Sequence, residues 1–165
     1  MLKYLNGTIV MQEVPDEISL AIVIAGCQHK CPDCHSKHTW DDQNQGQPLL
    51  EHLPIILKEY AKHVSCFCLM GGDQDQHELI QAFKQAHKAG LKTCLYTGLE
   101  DMSQLNLNLI RELDYVKLGK FDKSCGPLNN PKTNQRMMKK DYSPFGDIED
   151  WIDITYKFWP RDELI

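Results

Sequence analysis

The sequence predicts an α/β protein: a partial, open (βα) barrel of about four to five β/α units, with mostly parallel strands and a long C-terminal loop region. Three observations lead there. Apolar, β-rich runs alternate with segments of helical periodicity. Such alternation implies parallel strands joined by right-handed crossovers. The 165 residues suit one domain over 1–165 and are too few for a closed eight-unit barrel.

Each element has its own signal. Residues 18–25, ISLAIVIA, form a β-rich apolar run that stops at Gly26 and delivers the chain to Cys27, as a buried strand would. The polar stretch DDQNQGQP (41–48) breaks the chain. From Leu49 to Val64, apolar residues such as Leu49, Leu53, Leu57 and Tyr60 share one helical face. CFCLM (66–70) reads as the second strand and runs into GGDQDQ. A helix follows over about 76–89, with Leu79, Phe83 and Ala86 inward and Gly90 as its stop. LKTCLYT (91–97) is the third strand, and 101–113 is a helix striped by Met102, Leu105, Leu109 and Leu113. YVKLG (115–119) is the fourth strand. Residues 122–149, rich in Gly, Pro, Asn and Lys, read as a long loop. WIDITYKFW (151–159) alternates as a last edge strand.

In a parallel sheet of this kind, the loops after the C-terminal strand ends form the site. The cysteine loop follows the first strand, GGD the second, TG the third, and GK ends the fourth. Every chemically distinctive segment therefore falls on one edge.

Composition narrows the function classes. A net charge of −5 argues against a nucleic-acid surface, which normally carries a basic excess. The start, MLKYLNGTIVMQEV, has no uninterrupted apolar run of the secretory type. The longest apolar stretch, LAIVIAG (20–26), is too short to cross a bilayer. A soluble, cytoplasmic protein without nucleic-acid or membrane partners is expected. In a reducing compartment, seven cysteines read as metal ligands, catalytic thiols or buried apolar residues rather than disulfides.

Three of them, Cys27, Cys31 and Cys34, form C-x3-C-x2-C within the loop AGCQHKCPDCHSKHTW (25–40). If three thiolates hold three irons of a 4Fe–4S cluster, the fourth iron keeps an open position for a substrate. Alternatively, Cys31 and Cys34 pair around a structural zinc completed by Cys27, His29 or His35, as in a zinc-stabilised α/β binding module without catalysis. Spacing alone leaves both open, and incidental clustering of the three cysteines with them.

C-x3-C-x2-C after a first strand resembles the radical S-adenosylmethionine superfamily. More narrowly, GCQHKCPDCHSKHTW (26–40), LMGGDQD (69–75), LYTG (95–98) and GPLNNPKTNQRMM (126–138) resemble the activating enzymes of anaerobic (class III) ribonucleoside-triphosphate reductases. The resemblance implies that the whole chain is one radical S-adenosylmethionine domain. Cys27, Cys31 and Cys34 would bind a 4Fe–4S cluster, whose open iron takes S-adenosylmethionine. Reductive cleavage of that cofactor would generate a glycyl radical on the reductase large subunit, with a flavodoxin or ferredoxin as electron donor. A different glycyl-radical enzyme is the near alternative as target.

The same resemblance implies residue roles. Gly71, Gly72 and Asp73 match the motif that receives the methionine end of the cofactor, where glycines admit close backbone approach and a carboxylate suits an ammonium. Asp33 and His35 flank Cys34 near the adenosyl part, and Thr97, Gly98 and Lys120 lie on the same rim. Asn134, Gln135 and Arg136 would dock the reductase. Two departures stand out: Asp33 occupies a position that is often aromatic in the superfamily, and Leu118 one that is often acidic in related activases. Cys66, Cys68 and Cys94 read as buried small hydrophobes; Cys125 has no evident partner. His29 reads as an ordinary polar loop residue.

Overall fold

A computed structural model describes residues 1–41, 45–142 and 149–160. Residues 42–44 of the expected polar loop and 143–148 of the expected late loop lie outside the described residues. In chain order the strands are β1 (Lys3–Val10), β2 (Ser19–Ile24), β3 (Gln47–Pro48), β4 (Cys66–Met70), β5 (Lys92–Tyr96), β6 (Tyr115–Leu118), β7 (Arg136–Tyr142) and β8 (Glu149–Asp153). The helices are α1 (Leu49–Tyr60), α2 (Gln76–Lys88) and α3 (Leu107–Arg111).

One eight-stranded sheet runs β3-β1-β2-β4-β5-β6-β7-β8. Its centre, β2, β4, β5 and β6, is parallel. On either side β1, β3, β7 and β8 pair antiparallel. The sheet is thus mixed, not mostly parallel. The difference arises at the two flanks, where antiparallel pairing needs no helical crossover.

Period-two alternation sorts the central strands onto two faces. Ile22, Leu69, Leu95 and Val116 lie in register across the sheet and pack against Leu53, Leu79, Phe83 and Leu109 of the helices. The neighbouring row, Ala21, Cys68, Cys94 and Tyr115, faces the other way. There Val14, Met137 and Ile154 cover it, with no helix among them. All three helices therefore lie on one face. Cys66, Cys68 and Cys94 are fully buried on the opposite face.

Several boundaries depart from the expected pattern. The helix expected over 101–113 is broken: Asp101 and Gln104 form a capping box on a short 3-10 turn, and Asn106 then caps α3. The last strand stops at Asp153, whose carboxylate accepts the Thr155 N–H and hydroxyl and turns the chain into a 3-10 turn. β7 lies inside the expected late loop. Its buried Lys140 gave it a polar look, yet the Nζ donates to the Ile110 and Arg111 carbonyls at the end of α3 (3.1 and 3.0 Å). β1 was hidden because its side chains are only half-buried or exposed.

At the edge remote from the cysteine loop, Glu17 holds the sheet together. Its carboxylate accepts from Ser65 Oγ (2.6 Å), Lys92 Nζ (2.5 Å) and the Tyr115 hydroxyl (2.7 Å). Burial alone would raise its pKa, but these three donors outweigh burial and hold it below the ordinary 4.5. A depressed carboxylate pKa contributes stability above pH 4.5 that is lost as pH falls through the folded value. Glu17→Gln is expected to cost about 2 kcal/mol in urea unfolding at neutral pH. The difference from wild type should shrink below pH 4.5; a constant difference would refute the ionised network.

Candidate functional site

The cysteine loop is closed by its own backbone. The N–H groups of Gly26 and Cys27 both donate to the Thr39 carbonyl (2.6 and 3.1 Å), so residues 27–38 leave and re-enter the sheet edge at one point. Inside, the Cys34 N–H donates to the Cys31 carbonyl (3.1 Å), a tight turn that sets these two cysteines beside each other. The Ser36 N–H points at the Cys34 sulfur (3.3 Å), and those of His29 and Lys30 at Cys27. Cys31 is buried, Cys27 and Cys34 half-buried. Burial raises the Cys27 thiol pKa, against the pull of the two N–H groups. Among the described residues, no three His, Cys, Asp or Glu side chains close to the spacing of a single ion.

Beside this loop lies the turn after β4. Gly71 and Gly72 both have positive φ (92° and 104°), and a Cβ on Gly72 would stand 2.8 Å from Leu79 Cδ2. Only glycine allows the strand to bend here and start α2. The bend turns the Asp73 carboxylate inward, where it is 7% exposed. His29 Nε2 donates to Asp73 Oδ2 at 2.5 Å, and the Thr97 hydroxyl donates to the same oxygen. A carboxylate offers only acceptors, so the His29 proton sits on Nε2. Gly98 makes this contact possible, since a Cβ there would meet the His29 ring at 2.6 Å. His29, Asp73, Thr97 and Gly98 thus tie the cysteine loop to the ends of β4 and β5.

On the face without helices, Lys117 of β6 is 8% exposed. Its Nζ donates to the Gly119 carbonyl (2.7 Å) and lies 6.0 Å from the centre of the Tyr96 ring. Burial pushes its pKa down to about 8; the groups that pull the other way are the thiols of Cys31, Cys27 and Cys34. Among the described residues no carboxylate pairs with it. Lys117 and Tyr96 also line a cavity of about 810 Å³ together with Cys34, His35, Phe121 and Gln135. His35 and Phe121 meet edge to face there, with centroids 5.3 Å apart.

The expected site residues divide accordingly. Cys27, Cys31, Cys34, Asp73, Thr97 and Gly98 converge, and His35 lines the adjoining cavity. Asp33 points outward, 55% exposed, 3.9 Å from Lys123. The Lys120 side chain is exposed, and its carbonyl accepts from Asn134 Nδ2 (2.9 Å). Gln135 does not belong to a docking surface: it is buried, its Nε2 donating to the Gly119 carbonyl (3.2 Å). Asn134 and Arg136 are exposed and line a rim groove of about 400 Å³ with Glu100 and Asp101. His29 is more than the polar loop residue its sequence suggests; its signal is its place two residues from both Cys27 and Cys31. Lys117 is not among the residues the sequence motifs single out. Its signal was a lysine between buried neighbours in the apolar strand YVKL.

Comparison with known proteins places the chain in a family. A family model described as "4Fe-4S single cluster domain" matches residues 18–138. That span begins just before β2, ends within β7 and includes all three loop cysteines, Asp73, Thr97 and Lys117. The chain is 27% identical over 112 residues to the "Anaerobic ribonucleoside-triphosphate reductase-activating protein" of Salmonella typhi, covering 61% of this chain and 72% of that protein. It is 29% identical over 118 residues to the protein of the same name from Enterobacteria phage T4, covering 64% and 72%. No solved structure matches significantly.

Proposed function

Because this chain belongs to the 4Fe-4S single cluster domain family, we propose that it is a radical S-adenosylmethionine activase of an anaerobic ribonucleoside-triphosphate reductase. The observation that carries this reading is a loop of three cysteines, with no fourth among them, whose Cys34 shares a cavity wall with the buried Lys117 ammonium and whose thiols act on its charge. A buried cation whose acidic neighbours are thiols fits an anionic metal–thiolate group. The names of the relatives support the reductase as target.

A 4Fe–4S cluster held here would supply the electron for reductive cleavage of S-adenosylmethionine, the chemistry that would yield a glycyl radical on the reductase. The chain's own residues bind, orient and exclude water. Cys27, Cys31 and Cys34 would hold the cluster, three thiolates leaving it one position for the cofactor. Asp73 receives the ammonium of the methionine part, with its free lone pairs aligned by His29 and Thr97. The cavity between His35, Phe121 and Tyr96 offers flat walls for a nucleobase. Asn134 and Arg136, exposed beside the groove with Glu100 and Asp101, would dock the reductase from the rim.

A flavodoxin or ferredoxin as electron donor and a cytoplasmic location complete the proposal. Among the described residues no helix is long and apolar enough to cross a membrane. Coverage of the sheet by helices on one face only supports the partial, open (βα) barrel reading.

The test is anaerobic reconstitution followed by electron paramagnetic resonance of the reduced protein, with and without S-adenosylmethionine. We expect a reduced 4Fe–4S signal that changes on adding the cofactor, and a glycyl radical signal once reductase is present. Stoichiometric zinc without a cluster signal would overturn the reading.

A further inference from the structure

Buried lysines normally find a carboxylate or lose their charge, because an ammonium removed from water is costly. Lys117 has one carbonyl, from Gly119, for its three N–H donors, and the face of Tyr96 nearby. Among the described residues the acidic groups that act on its charge are the thiols of Cys31, Cys27 and Cys34, while Glu13 lines the same cavity. Strand alternation places it on the helix-free face, in the wall of the same cavity as Cys34. Lys120 on the same rim is exposed, so water screens its charge.

We propose that Lys117 is the built-in countercharge of the cluster held by Cys27, Cys31 and Cys34, and that it raises the reduction potential of that cluster. The inference rests on the activase reading. One-electron reduction adds one negative charge to the cluster. A fixed positive charge on a buried side chain stabilises the reduced form more than the oxidised one. The protein therefore eases the entry of the electron without adding a thiolate ligand.

The experiment compares wild type with Lys117→Gln, Lys117→Met and Lys117→Arg. Each is reconstituted anaerobically, assayed for iron and sulfide, and titrated potentiometrically by electron paramagnetic resonance. Glutamine keeps a donor for the Gly119 carbonyl without the charge; arginine keeps the charge. The neutral variants should hold a full cluster whose reduction equilibrium is about tenfold less favourable, about 59 mV lower for one electron. Lys117→Arg should stay near the wild-type potential. If neutral variants fail to load iron while Lys117→Arg loads it, the need for the charge is equally established. Unchanged potentials in loaded neutral variants would overturn the inference and leave the activase reading intact. So would Lys117→Arg failing to load, or falling as low as Lys117→Gln. Absence of a cluster from wild type would instead refute the activase reading itself.

Discussion

Cys31→Ala is expected to abolish the cluster. Iron should fall from about four atoms per reconstituted chain to below about one, and the reduced paramagnetic signal should vanish. With one thiolate removed, two cysteine ligands remain for four irons, and the loop holds no other thiol. The other cysteines cannot substitute. Cys66, Cys68 and Cys94 lie fully buried within the sheet. Cys125 sits in the loop after β6, its sulfur 3.8 Å from Ser124 Oγ. Cys125→Ala is therefore the matched control and should keep its iron. The alanine at 31 removes one small side chain, so thermal unfolding of the apo-protein should barely change. A Cys31→Ala protein with full iron would show that the ligand set has been wrongly drawn.

Asp73→Asn should preserve the cluster yet weaken S-adenosylmethionine binding about 100-fold, the scale for losing one member of a buried charge pair. The readout is a titration of the cofactor against the change it induces in the reduced cluster signal. Asparagine matches aspartate in shape and can still accept from His29 or Thr97, so the tie between the loops survives in part. What it loses is the negative charge for an ammonium. Unchanged affinity with a lowered melting temperature would assign Asp73 to holding the cysteine loop alone. His29→Ala separates the two roles further. It frees the carboxylate while loosening the loop, so its effect should appear in iron retention before it appears in cofactor affinity.

The parts of this protein legible in its sequence are those set by short-range chemistry. Three thiols within eight residues must share a neighbourhood whatever the fold does. One-sided apolar spacing at Leu49, Leu53 and Leu57, or Leu79, Phe83 and Ala86, makes a helix that must bury that side. Gly71 and Gly72 mark a bend because positive φ costs other residues too much. Strand–helix alternation then puts the segments after β2, β4, β5 and β6 on one edge.

Tertiary structure decided what depends on partners far along the chain. β1 and β7 became strands because neighbours offered them hydrogen bonds, not because their own side chains alternate clearly. Gln135, within the most distinctive stretch of the late loop, is turned inward by the Gly119 carbonyl, sixteen positions away. His29 acquires its part from Asp73, forty-four positions distant, and needs Gly98 to make room for its ring. Lys117 is the extreme case. Its residue type says "charged and exposed", and only the sheet's two-residue alternation, with the cysteine loop folded over the same face, makes it a buried cation among thiols. Local propensity and spacing act within a few residues, whereas burial and charge compensation are properties of the assembled neighbourhood.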